Sequence, residues 1–179
     1  MLWKILLAVA VLIILLIIFI AMQPSAFRIA RSALISAPPQ TVFNQINDFH
    51  KWEAWSPWLK LDPNVKTTYE GPPSGPGAKY SWLGNKKIGE GRMTILETNP
   101  PTLIRIKLEF IQPFKNTNDT EFTFQPQGNQ TNLTWAMSGQ RPFMMKAFGL
   151  IMNMDKLVGN DFEKGLASIK QICESSAAV

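Results

Sequence analysis

The segment from Phe143 to Glu174, FMMKAFGLIMNMDKLVGNDFEKGLASIKQICE, sets the problem that the rest of the chain must solve. Apolar residues recur at Phe148, Ile151, Met152, Val158, Phe162, Leu166, Ile169 and Ile172. Spacings of three and four place them on one face of a helix. Lys156, Asp161, Glu163, Lys164 and Lys170 fall between them as a solvated back. One unbroken helix over this segment would be about 48 Å long at 1.5 Å per residue, more than a small domain spans. A break is therefore expected near Asn153 to Gly159, with a short helix before it and a long one from about Asp155. The apolar face needs a cover, and only strands upstream can supply it.

A second apolar run lies at the other end. Ile5 to Met22, ILLAVAVLIILLIIFIAM, holds no charge, and Leu2 and Trp3 extend it past Lys4. About 20 such residues cross a bilayer core as a helix. A cleaved signal peptide has an apolar core of roughly 7–15 residues and small residues before the cut, and Ala21-Met22-Gln23 is a poor match. Residues 1–23 are thus read as an uncleaved anchor, with membrane contact through residues 2–22, and 24–179 as one domain. Lys4 and the terminal amine flank one side, Arg28 and Arg31 the other, so the positive-inside rule is nearly balanced. The slight preference is for a single-pass inner-membrane protein with its domain outside the cytoplasm.

Without the anchor about 155 residues remain, enough for one real core. The net charge of +5 is scattered rather than clustered, which argues against a nucleic-acid partner. With one cysteine, Cys173, and one histidine, His50, neither an internal disulfide nor a His/Cys metal site is expected. No Gly-rich phosphate loop or nucleophile elbow is present, and no cofactor is expected.

Between the two apolar ends the pattern is mostly strand. Phe27 to Ile35 alternates, and Ala37-Pro38-Pro39 opens a helix with Val42, Phe43 and Ile46 on its apolar face. Asn47 to Trp58, NDFHKWEAWSPW, concentrates aromatic residues. Short strands are predicted at 65–69 and 78–83, on either side of the Pro/Gly loop 71–77. A strand over 88–98 carries Gly89 and Gly91, the mark of a bulge or a close approach. Thr102 to Gln112 alternates strictly: Ile104, Ile106, Leu108 and Phe110 face one way, Arg105, Lys107 and Glu109 the other. Two more strands follow at 117–125 and 131–139. The fold class is α+β: a curved antiparallel sheet of about six or seven strands, one face wet, wrapped around the long C-terminal helix, with the N-terminal transmembrane helix in addition.

Several of these stretches resemble a known family. They are the Ala-Pro-Pro-x-x-Val-Phe helix start at Ala37 to Phe43, Asp48-Phe49 with Trp52 to Trp58 and its WSPW, the Gly75 to Trp82 strand entry, Thr131 to Trp135, and the closing MDKLVGNDFEKGLASIK. Over residues 27–174 the chain is similar to the SRPBCC superfamily of START-like, birch-pollen-allergen-like proteins. Within it, the resemblance is to the bacterial polyketide cyclase/dehydrase and lipid transport type with an N-terminal anchor. The resemblance implies a helix-grip fold with an apolar cavity between sheet and helix. It does not imply cyclase chemistry, because the superfamily includes carriers, enzymes and chaperone activators.

The candidate cavity residues are Trp55, Trp58, Tyr80, Trp82, Met93, Phe110, Phe122, Phe124, Trp135, Met137, Phe148, Met152, Val158 and Phe162. Each alone reads better as core filling than as a cavity wall. As a set, rich in aromatic and Met side chains, they suit an adaptable apolar site. No catalytic constellation is recognisable. His50, beside Asp48 and Glu53, is a conceivable base but reads as a surface or capping residue. Glu90 and Arg92 share a strand face and read as a solvated pair, and Asp155 and Asp161 read as helix-start caps. The favoured reading is a membrane-anchored protein that binds a hydrophobic or amphipathic, lipid-like small molecule. The alternatives are a cyclase- or dehydratase-like enzyme acting on a polyketide-type or aromatic substrate, and a stress-response or interaction protein with an incidental cavity and an unidentified protein partner.

Overall fold

The computed structural model describes residues 1–176, and only the backbone of Ser176. The expected domain end at Val179 lies outside the described residues. The chain starts with helix α1 (Leu2–Met22), followed by strand β1 (Ala26–Ile35) and helix α2 (Pro39–Ile46). A helical turn then leads into α3 (Trp52–Trp55). Six strands follow: β2 (Lys66–Glu70), β3 (Lys79–Leu83), β4 (Glu90–Asn99), β5 (Leu103–Gln112), β6 (Asn116–Gln127) and β7 (Gln130–Gln140). Helices α4 (Phe143–Gly149) and α5 (Met154–Ser176) close the chain.

All seven strands form one antiparallel sheet in the order β1-β7-β6-β5-β4-β3-β2. Strands β2 to β7 pair with their sequence neighbours, so their registers are set by short turns. Only β1 is placed non-locally, on the far edge beside β7. The outer face is wet and carries cross-strand ion pairs: Arg92 with Glu109 at 2.8 Å, and Arg105 with Glu97 and Glu121 at 3.3 Å each. The inner face carries Ile95, Ile104, Ile106, Phe122, Phe124, Leu133 and Trp135, all buried.

Helix α5 crosses this inner face with Phe162, Leu166 and Ile169 buried and Val158 and Ile172 half-buried against the core. The amphipathic phase expected from Val158 onward is the one observed. Arg31 on β1 holds the start of α5: its Nε donates to Glu163 Oε1 at 2.8 Å, and Nη2 donates to Asp155 Oδ2 at 3.0 Å and to the Asp155 carbonyl at 3.1 Å. Asp155 is thus an ion-pair partner of β1. The cap of α5 is instead Asn153, whose Oδ1 accepts from the Lys156 amide at 2.9 Å. The guanidinium lies directly over the backbone of α5 at Gly159, where a Cβ would collide with it.

Among the described residues one helix, α1, is long and apolar enough to cross a membrane, with a mean hydropathy of 3.6 over its best window. A signal sequence has the same character. All of its side chains except Ile20 lie outside the core, and its C-terminal end meets α4, where Lys146 Nζ donates to the Ala21 carbonyl at 3.1 Å.

Candidate functional site: an apolar cavity between sheet and helix

One end of the space between sheet and helix is solid. Phe43 of α2 packs on Phe124, and Trp52 and Trp55 of α3 pack edge-on against Phe122. The WEAW turn holds its place by its indoles: Trp52 Nε1 donates to the Ile46 carbonyl at 3.0 Å and Trp55 Nε1 to the Gln45 carbonyl at 3.2 Å. The other end is open inside, with a cavity of about 220 Å³. By comparison, a dry apolar cavity of about 150 Å³ takes a benzene ring.

Nine of the fourteen expected residues line this cavity: Trp58, Tyr80, Trp82, Met93, Phe110, Trp135, Met137, Val158 and Phe162. The other five do not. Trp55, Phe122 and Phe124 are buried in the solid end, because α2 and α3 fill the space in front of them. Phe148 and Met152 are 45% exposed on the outside. The break expected near Asn153 to Gly159 is found just before that range, with α4 ending at Gly149 and α5 starting anew at Met154; Phe148 before it and Met152 within it take no phase from α5, so they do not share its buried face. The lining also includes Trp52, Ser56, Leu59, Lys87, Ile88, Leu108 and Thr120. Leu108 and Thr120 were findable, since each continues the inward parity of its strand. Lys87 and Ile88 come from a turn, where no periodicity points the way.

Local sequence explains the wall. Gly91 on β4 carries no side chain, and the Trp82 indole occupies the space a Cβ would need. The β4–β5 register shifts between Glu90 and Gly91. Gly91 thus sits at both the bulge and the close approach, and Gly89, just before the strand at φ +63°, passes against the Gln112 carbonyl. Trp82 Nε1 donates to the Ile88 carbonyl at 3.1 Å, tying the wall to the β3–β4 turn.

Three lining side chains hold a buried polar atom with no hydrogen-bond partner: the Tyr80 hydroxyl, Thr120 Oγ1 and Trp135 Nε1. These residues are at most 4% exposed. Buried polar groups in folded proteins nearly always have a partner, and each one left without costs about 1–3 kcal/mol. The indoles of Trp52, Trp55 and Trp82 each donate to a backbone carbonyl, a contrast that makes Trp135 conspicuous. Burial raises the Tyr80 phenol well above its ordinary value, so it stays protonated and remains a donor. No carboxylate or imidazole lines the cavity among the described residues.

The other polar candidates lie elsewhere. His50 is outside the cavity, stacked on Tyr69 at 4.1 Å, with its Nδ1 2.9 Å from Asp48 Oδ1. Glu90 and Arg92 are on the wet face, where Glu90 accepts from Gln112 at 3.0 Å. Asp161 pairs with Lys164 at 2.8 Å. No group of three or more His, Cys, Asp or Glu side chains suited to a metal is present among the described residues. Burial pushes the Cys173 thiol up to about 11, so it is inert.

A seven-stranded antiparallel sheet closed around a C-terminal helix, with an apolar cavity at one end, defines the helix-grip class. Solved structures share the fold. Ara h 8.0201 superposes with a TM-score of 0.56 at 10% identity, over 84% of this chain and 99% of its own. TTHA0849 from Thermus thermophilus gives 0.59 at 16% identity, over 84% and 99%. The di-domain ARO/CYC StfQ of the steffimycin biosynthetic pathway gives 0.62 at 12% identity, over 87% of this chain and 53% of its own. No curated protein matches by sequence. The family model described as polyketide cyclase / dehydrase and lipid transport matches residues 26–174, and the chain belongs to that family. It is a cavity-bearing member of the SRPBCC superfamily, as the WSPW segment and the closing helix imply.

Proposed function

We propose that this chain is a membrane-anchored binding protein for a small, mostly apolar molecule that carries at least one polar group, held between the sheet and α5. The observation that carries this reading is the trio of unpartnered polar atoms on Tyr80, Thr120 and Trp135 in an otherwise apolar lining. A pure hydrocarbon would leave all three unpaired. An amphipathic ligand with a carbonyl or hydroxyl would accept from Tyr80 and Trp135 and satisfy Thr120, recovering what their burial costs. The family's description, which names lipid transport, agrees with such a ligand. The lining supports binding over catalysis: its phenol is held protonated by burial, and no carboxylate or imidazole, the usual groups for general acid–base work, is among the described residues that line it. The length and hydropathy of α1 support the anchor, which would keep the cavity beside a membrane.

The test uses the full chain in nanodiscs, titrated with a dansyl-labelled medium-chain fatty acid, reading energy transfer from the cavity tryptophans. Saturable transfer that is lost in Met137→Phe, which fills the cavity, is the expected result. Transfer of equal size in both proteins, rising without saturation, would contradict the reading.

A further inference from the structure

Helix α4 and the residues after it present the only long apolar stretch outside α1 that the fold leaves uncovered among the described residues. Phe143, Met144, Phe148, Leu150 and Met152 are each 44–51% exposed, and Ile151 is 87% exposed. From Pro142 to Met154 there is no acidic residue and one cation, Lys146. The inner side of α4 is different. Met145, Lys146 and Ala147 are half-buried, and Met145 Sδ accepts from Asn116 Nδ2 at 3.7 Å. Asn116 also donates to Asn118 at 3.1 Å, and Asn118 reaches Met137 Sδ at 3.8 Å, a cavity-lining atom. The same helix is therefore joined to the cavity wall on one side and bare on the other.

Its height relative to α1 is fixed by two hydrogen bonds. Lys146 Nζ donates to the Ala21 carbonyl at 3.1 Å, and the Arg141 amide donates to the Ser25 carbonyl at 2.8 Å. Ala21 is in the last turn of α1. A 21-residue helix is about 31 Å long, close to the bilayer's hydrocarbon thickness, so its last turn lies at the boundary with the headgroups. We infer that the α4 segment, residues 143–152, lies in the interfacial layer of the same bilayer, its apolar side among the acyl chains, and forms a membrane-seated cover over the cavity end at Met137. A Lys whose stem runs along apolar surface while its head reaches a carbonyl is the arrangement found at such boundaries. The inference rests on the reading of α1 as a span. Given that reading, the bilayer is the occupant favoured over a second copy of the chain, because the patch continues directly from the end of the helix that enters it.

The test is nitroxide labelling of the full chain in lipid vesicles at Ile151→Cys, with Leu12→Cys as the depth reference and Asn129→Cys in the β6–β7 turn as the aqueous reference; the native Cys173 is buried. Power saturation should show the 151 label severalfold more accessible to oxygen than to a water-soluble nickel complex, like the Leu12 label and unlike the Asn129 label. A 151 label as accessible to nickel as the Asn129 label, with Leu12 still in lipid, overturns the inference and leaves the anchor standing. Spin–spin broadening at 151 that dilution with unlabelled chain removes assigns the patch to a second copy and also overturns it. A Leu12 label in water overturns the anchor, and this inference with it.

Discussion

The rings of Trp135 and Phe162 lie parallel, 6° apart in tilt, with centroids separated by 4.1 Å. One belongs to β7 and the other to α5, so this stack is where sheet and helix grip each other, and both rings also line the cavity. Trp58 meets each of them edge-on, at 5.6 Å and 6.2 Å. The same contact thus supports the fold and shapes the site.

Phe162→Ala removes a side chain that is 2% exposed and leaves Trp135 without its stacking partner. The expected loss of stability is about 3–5 kcal/mol, toward the lower end because the hole opens into an existing cavity. Urea denaturation followed by far-ultraviolet circular dichroism measures it, and a loss under about 1 kcal/mol would show that the stack is not a structural joint.

Gly165→Ala separates two opposed effects. In an exposed helix the change gains up to about 1 kcal/mol of propensity. Here the new methyl would meet Trp135 Cζ3 at 2.8 Å, and the indole is already packed against Phe162, Phe122 and Trp55. Overpacking should win, with a net loss of about 1–3 kcal/mol, read from the same denaturation curves.

Thr120→Val and Tyr80→Phe each delete a buried hydroxyl that has no partner in the empty cavity. Both variants should be about 1 kcal/mol more stable than the parent without ligand. Both should bind the dansyl-labelled fatty acid roughly tenfold more weakly, equivalent to about 1.4 kcal/mol. Thermal melts with and without ligand should therefore cross over. Parallel shifts in both conditions would mean that the hydroxyls serve no ligand.

Glu109 governs an acid-side dependence of stability. Hydrogen bonds from Arg92, then from Lys107, lower its carboxyl to about 2. Its folded value lies below its unfolded one, so the unfolded chain takes up the proton first as the pH falls. The contribution is complete above about 4.5, declines as the pH falls toward 2 and is absent below that. Its size is on the order of 1 kcal/mol, since Arg92 is more than half exposed and water screens the pair. Stability measured from pH 6 to pH 2 should fall less steeply in Glu109→Gln than in the parent.

Most of the architecture was legible because it is written in short-range periodicity. The strict alternation of 103–112 and the turn residues between strands set a meander of sequence neighbours, and the three-and-four spacing from Val158 to Ile172 set the buried face of α5. What alternation cannot tell is position along the inner face. Asn118, Thr120, Phe122 and Phe124 share one parity, yet Thr120 borders the cavity while Phe122 and Phe124 are capped by α2 and α3. That division depends on where two short helices land, a non-local outcome. Phe148 and Met152 went astray for a different reason. A four-residue interruption resets helical phase, so Phe148 before it and Met152 within it face outward instead of continuing the buried face of α5. Lys87 and Ile88 reach the cavity through the fold of a turn, held there by Asn85 and the buried Asp62, whose Oδ2 accepts from the Asn85 amide at 2.7 Å.

The unpartnered Trp135, Tyr80 and Thr120 atoms lead to the proposal that a molecule with a polar group fills the space beside them. The most direct measurement extracts the full chain from membranes into nanodiscs and identifies, by mass spectrometry, the small molecules that co-purify with the parent and with Met137→Phe. A discrete, mostly apolar species bearing a carbonyl or hydroxyl, near one per parent chain and absent from the variant, is the expected result. Identical bulk-lipid profiles for the two proteins would contradict it.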